Sequence, residues 1–121
     1  MDPSIKEKSD KVHFRKIGKT IIDINYIMYC CAQSCYTDVF LYNGEKFVEC
    51  LTLQKTENIL PNRIFLRIHK SHIININYLV KCQLKGSATV VMSDGKVFNV
   101  AETARKKLVQ MLTESLTADS N

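Results

Sequence analysis

Twice in this chain a run of β-branched and aromatic residues leads into a turn built around glycine. Tyr36 to Tyr42 ends at Asn43-Gly44, and Ala88 to Met92 ends at Ser93-Asp94-Gly95. A second β-like run follows each turn, Lys46 to Cys50 and Lys96 to Val100. Asn-Gly or Asp-Gly between alternating apolar residues is the strongest short-range hairpin signal, because both turn residues must tolerate positive φ. Two such devices predict a mainly β fold of small antiparallel sheets. Other short runs agree with it: Val12 to Ile17 before Gly18, Thr20 to Ile22, and Ile27 to Ala32 before Gln33-Ser34. Between the last two, Asp23 reads as an N-cap that opens one short turn through Asn25.

Two segments break the β pattern. Thr52 to Leu60 places Leu53, Thr56, Glu57 and Leu60 at helical spacing, and Pro61 stops it. This predicts a short helix packed over a sheet edge. Ala101 to Leu116 is the clearer helix, with Ala104, Leu108, Met111, Leu112 and Ser115 on one face and Arg105, Lys106 and Lys107 toward solvent. Residues 1–11 read as a flexible tail or linker remnant, 12–116 as one domain, and 117–121 as a fraying polar tail. No internal repeat is expected.

A formal net charge of +5 and a pI near 9.0 suit a polyanionic partner, though such a surplus is also common elsewhere. No run approaches the length of a membrane span, and the polar start lacks the apolar core of a leader peptide. Five cysteines, an odd number without a leader, point to free thiols and a cytoplasmic setting. Cys31 and Cys35 have a tolerable zinc half-site spacing, with His69 and His72 as distant candidates, but Cys50 and Cys82 stand alone. Cysteine as a small hydrophobe is the better reading, so no metal or cofactor is expected. Gly-rich phosphate loops, G-x-S-x-G and H-E-x-x-H are all missing from the sequence, and no enzyme is expected.

The segment Phe65-Leu66-Arg67-Ile68-His69-Lys70-Ser71-His72-Ile73-Ile74-Asn75 is unlike generic strand sequence. It resembles the signature of LytTR-type DNA-binding domains. Other landmarks resemble that family in the same order: Asp23-Ile24-Asn25-Tyr26-Ile27, Tyr36-Thr37, the Leu51 to Leu60 helix, Asn77-Tyr78-Leu79-Val80, Asp94-Gly95 and Val100-Ala101. Together they cover roughly residues 12 to 113.

The resemblance implies a non-enzymatic transcription regulator whose loops enter successive major grooves of double-stranded DNA. Carried onto this chain, the first contact segment is Gln33, Ser34, Cys35 and Tyr36, and the second is His69, Lys70 and Ser71. The third is Glu102, Thr103 and Arg105, with Lys106 close by. It further implies two protomers on tandem direct repeats, monomers off DNA, and either a stand-alone regulator or the output domain of a longer one carrying a phosphoryl-receiver domain. Lys70 stands where many members carry Arg, which removes the planar fork. Glu102 and Thr103 replace a Ser/Arg-rich start.

The residues also have plainer readings. Arg67 is either solvent-facing, ion-paired or a DNA contact. His69 orients its loop or touches DNA, and Asn75 reads better as a backbone cap than as a base reader. Cys35 is a small loop residue or a thiol whose oxidation alters binding. The competing function is a β-rich protein-interaction or ligand-sensing domain. DNA binding requires Gln33, Lys70 and Arg105 on one face with no carboxylate between them.

Overall fold

The computed structural model describes the backbone of residues 13–119 and side chains through residue 114. Among the described residues, ten strands and two helices form two units of the same element order. The first runs β1 (Phe14–Ile17), β2 (Thr20–Asp23), a single 3-10 turn (Ile24–Tyr26), β3 (Ile27–Gln33), β4 (Tyr36–Leu41), β5 (Lys46–Glu49) and α1 (Leu53–Ile59). The second runs β6 (Phe65–His69), β7 (His72–Asn75), a 3-10 turn (Ile76–Tyr78), β8 (Leu79–Gln83), β9 (Thr89–Met92), β10 (Val97–Asn99) and α2 (Glu102–Asp119). The expected mainly β fold of small antiparallel sheets is what forms.

The absence of an internal repeat does not hold. Strand registers recur pair by pair: Phe14 opposite Asp23, Arg15 opposite Ile22 and Lys16 opposite Ile21 become Phe65 opposite Asn75, Leu66 opposite Ile74 and Arg67 opposite Ile73. Ile27–Leu41, Tyr29–Phe40 and Cys30–Val39 become Leu79–Met92, Lys81–Val91 and Cys82–Val90, with the β-bulge at Met28 repeated at Val80. Asp23 and Asn75 cap the two 3-10 turns alike, each accepting from the N–H two residues on. The Tyr42 N–H bonds to the Tyr26 carbonyl as the Ser93 N–H does to that of Tyr78. Ile-Ile-Asp-Ile-Asn-Tyr-Ile and Ile-Ile-Asn-Ile-Asn-Tyr-Leu are the corresponding sequences.

The units interlock. Hairpin β6–β7 adds to the first unit through β3, giving a five-stranded sheet ordered β5-β4-β3-β7-β6, while β10-β9-β8 and β1-β2 remain separate sheets. One face of the large sheet carries Cys30, Val39, Phe65 and Ile73 against Ile17, Leu53 and Leu60, so α1 and the first hairpin cover it. Helix α1 therefore packs over central strands rather than over an edge. The other face presents Tyr29, Ile68 and Ile74 to Val90, Met92 and Phe98 of the small sheet and to Ala104 and Leu108 of α2. Tyr29 Oη donates to Asp94 Oδ2 at 2.8 Å and ties the two layers together.

Both glycine hairpins form, but with a different turn. Only the glycine has positive φ, +92° at Gly44 and +91° at Gly95, while Asn43 and Asp94 do not. Gly44 and Gly95 N–H donate to the Leu41 and Met92 carbonyls, and the Leu41 and Met92 N–H donate to the Glu45 and Lys96 carbonyls. This is a type I turn closed by a glycine bulge. Asn43 and Asp94 keep negative φ because their Oδ1 atoms accept the N–H two residues on. Phe14 is exposed and Ile17 buried. The expected tail at residues 1–11 lies outside the described residues, and α2 continues to Asp119 where fraying was expected from Thr117.

Candidate nucleic-acid interface

Strand β3 ends at Gln33, which pairs with Tyr36 across the two-residue turn Ser34-Cys35. Ser34 has φ +59°, the first-position conformation of a type II′ turn that normally requires glycine. Gln33, Ser34, Cys35 and Tyr36 are all exposed. Hairpin β6–β7 also turns through two residues, Lys70-Ser71, with His69 opposite His72, but neither turn residue has positive φ. Because β7 adds to β3, the two tips lie side by side: the Ala32 N–H donates to the Ser71 carbonyl at 2.9 Å.

Side chains fix the second tip from below. Arg67 Nη2 donates to the Lys70 carbonyl at 2.7 Å, and its Nη1 donates to Gln54 Oε1 at 3.1 Å and Glu57 Oε1 at 3.3 Å on α1. His69 Nδ1 accepts the Ser71 N–H at 3.1 Å. Arg67 is thus ion-paired with Glu57, and His69 hydrogen-bonds its own loop. Lys70 is exposed, and Ser71 is half-buried. Asn75 is fully buried, donating from Nδ2 to the Ile27 carbonyl and accepting the Asn77 N–H, so the backbone cap is the reading that fits.

The third segment joins through the Ala101 N–H, which donates to the Ile68 carbonyl at 2.7 Å and sets the start of α2 beside β6. An open groove of about 560 Å³ results, lined among others by Gln54, Glu57, Arg67, His69, Lys70 and Thr103. Arg105 does not line it. Two residues apart on a helix is about 200° of rotation, and Arg105 points the other way, bonding the Leu84 and Gly86 carbonyls. Lys106 and Lys107, one turn beyond Thr103 on its side of the helix, are exposed. Helical spacing from Thr103 was the signal for Lys107. Gln33 and Lys70 thus lie on adjacent hairpin tips, while Arg105 is turned away from the groove. A carboxylate, Glu57, does enter the groove, where it pairs with Arg67.

His72 sits behind the tip, its ring 4.4 Å from Phe98 and 5.4 Å from His69. Burial, then the neighbouring His69 and Lys96, hold its pKa below the usual imidazole value, and its Nδ1 is buried without a hydrogen-bond partner. Burial raises the thiols as well: Cys31 goes up to about 11, with Asp38 adding to the effect, and Cys30 and Cys82 also rise. Cys35 and Cys50 are exposed. Among the described residues no group of three or more His, Cys, Asp or Glu is placed to hold a metal ion.

Hairpin tips and a helix start gathered at one end of a β scaffold define a loop-presenting recognition module. The chain belongs to the LytTR family: the LytTr DNA-binding domain model matches residues 18–113. It is similar to the heme-containing CO-sensing transcriptional regulator RcoM 2 of Paraburkholderia xenovorans, 28% identical over 81% of this chain and 36% of that protein. It is likewise similar to the sensory transduction protein LytT of Bacillus subtilis, 28% identical over 76% of this chain and 39% of that one. The chain therefore spans well under half the length of these curated relatives. A solved structure from Bacillus cereus, described as the LytTr DNA-binding domain of a response regulator, superposes with a TM-score of 0.67 at 22% identity. The match covers 82% of this chain and 94% of the other. A LytTR domain is the DNA-binding domain of transcription regulators. No helix among the described residues is long and apolar enough to cross a membrane.

Proposed function

We propose that this domain reads specific sequences in double-stranded DNA through its two adjacent hairpin tips, entering the major groove, with the start of α2 holding the flanking backbone. The observation that carries this is the bond between Ala32 and Ser71, which locks both tips to one end of the sheet. Lys70 is an exposed cation at that end, suited to a phosphate or to guanine O6/N7, and Ser71 offers a hydroxyl to a phosphate. Gln33 has the paired donor and acceptor that match adenine. Ser34, Cys35, Tyr36 and His69 complete the surface, with Thr103, Lys106 and Lys107 beside it. Arg105 braces the loop after β8 and leaves the reading set.

Two protomers on tandem direct repeats, and a longer regulator carrying a receiver or another sensory domain, complete the reading, which the greater length of the relatives supports. Selection from random duplexes tests it. A motif is enriched, binding to it weakens steeply with salt, and Lys70→Ala weakens binding by about 1–3 kcal/mol. Recovery of no motif, with the variant binding like the parent, would replace it with a protein-interaction or ligand-sensing role.

A further inference from the structure

The two repeated units are not equally covered. Phe65 and Ile73, on β6 and β7, are 4% and 0% exposed, whereas their counterparts Phe14 and Ile21, on β1 and β2, are 47% and 68% exposed. Met28, at the bulge of β3, is 3% exposed, and its counterpart Val80, at the bulge of β8, is 62% exposed. Ile21 and Val80 are the two most exposed large apolar residues among those described.

The cause is topological. In the first unit β3 receives β7 as an antiparallel neighbour, with Tyr29 opposite Ile74, Cys30 opposite Ile73 and Cys31 opposite His72. The second unit also stacks on this side of β3, bringing Ser93 Oγ to 3.7 Å from Met28 Sδ. Among the described residues the same edge of β8 has no strand beside it, and β2 pairs with β1 alone. The repeat thus supplies parts for two such contacts, and the chain makes one. An acceptor edge on β8 and a donor hairpin β1–β2 are left over.

We propose that hairpin β1–β2 of one copy adds to the β8 edge of a second copy, repeating between molecules the pairing that β7 makes with β3 within one. The transferred register sets Ile22 opposite Lys81, Ile21 opposite Cys82 and Thr20 opposite Gln83. None of these pairs opposes like charges. An unpaired edge with exposed apolar side chains is a template for strand addition. Donor and acceptor surfaces differ, so the contact is head-to-tail and adds copies in series, into a ring or a filament according to the rotation between them. The inference rests on the repeat and stands without the DNA reading.

So short a strand pairing is weak in dilute solution, and cross-linking without DNA tests it. Ile21→Cys is made in a background with the exposed thiols replaced, Cys35→Ser and Cys50→Ser. Directly opposed strand positions have the Cα separation a disulfide needs, so mild oxidation joins the new thiol to Cys82 of the next copy. The expected result on a non-reducing gel is a ladder of dimer, trimer and higher species that Cys82→Ser abolishes. Adding Val80→Lys to the Ile21→Cys chain removes its acceptor edge. Mixed with an Ile21→Lys chain, which lacks the donor, it stops at the dimer. Monomer alone, or a dimer that survives Cys82→Ser, overturns the proposal. Melting curves matching the parent verify that these substitutions leave the fold intact.

Discussion

The guanidinium of Arg67 bonds the backbone carbonyl of Lys70 at 2.7 Å, so a side chain that lines the groove also holds the Lys70-Ser71 turn in shape. Its other nitrogen anchors it to Gln54 and Glu57 on α1. Arg67→Ala should therefore weaken DNA binding about five- to tenfold, about 1–1.4 kcal/mol. The accompanying stability loss should stay near 1 kcal/mol, because the Glu57 pair is partly solvent-screened. Arg67→Lys cannot reach both partners with one ammonium and should behave like the alanine variant. Parallel binding titrations and urea melts separate the two effects.

Ser34 holds a backbone conformation suited to glycine at the tip of the first hairpin. Ser34→Gly removes the Cβ clash and should stabilise the domain by about 0.5–1 kcal/mol. Urea denaturation should show a higher midpoint at an unchanged m-value. A lower midpoint would mean that the serine side chain does more for the turn than its backbone strain costs.

Asn75 is fully buried and bridges β7 to the Ile27 carbonyl while capping the turn that follows. Asn75→Ala leaves a buried carbonyl and a backbone N–H unpaired and should cost about 2–4 kcal/mol. Asn75→Asp keeps the cap but loses the donor and buries a charge. It should be at least as costly, although Asp23 serves well at the half-buried corresponding position. Chemical denaturation of both variants checks the ranking.

His72 has a folded-state pKa below its unfolded value, so the unfolded chain binds the extra proton first. The linkage sign follows: stability is full above the unfolded imidazole pKa near 6.5 and is lost as pH falls through it toward the folded value. His72→Phe keeps a ring against Phe98 and removes the titration. Melts across this window should show a flatter pH dependence for the variant than for the parent.

How much of this was legible in the sequence varied with the distance over which the cause acts. Local signals served well: Thr52 caps α1 and accepts the Lys55 N–H, Asp23 opens its turn, and Pro61 follows the helix end. The glycine turns were placed correctly, but their type was misread because the Asn43 and Asp94 side chains stabilise negative φ. The repeat was visible as Ile-Ile-Asp-Ile-Asn-Tyr-Ile and Ile-Ile-Asn-Ile-Asn-Tyr-Leu. An extra residue in the bulge between Arg67 and His69, and a β8–β9 connection of different length from the Ser34-Cys35 turn, break its spacing. Arg105 has partners that the sequence does not reveal, for a tertiary reason. Its charge and position near a helix start looked like a phosphate contact, but the fold brings the Leu84 and Gly86 carbonyls within its reach.

The most direct measurement is a side-by-side titration of Gln33→Ala, Lys70→Ala and Arg105→Ala against the parent, on a selected duplex at two salt concentrations. The account predicts that Gln33→Ala and Lys70→Ala each weaken binding by about 1–3 kcal/mol, with Lys70→Ala also lowering the salt slope by about one if its contact is a phosphate. Arg105→Ala should reduce stability while leaving the affinity of the folded protein within about twofold, close to 0.4 kcal/mol. Strong loss of binding in Arg105→Ala, with parent-like binding in the other two, would contradict it and move the interface to the far side of α2.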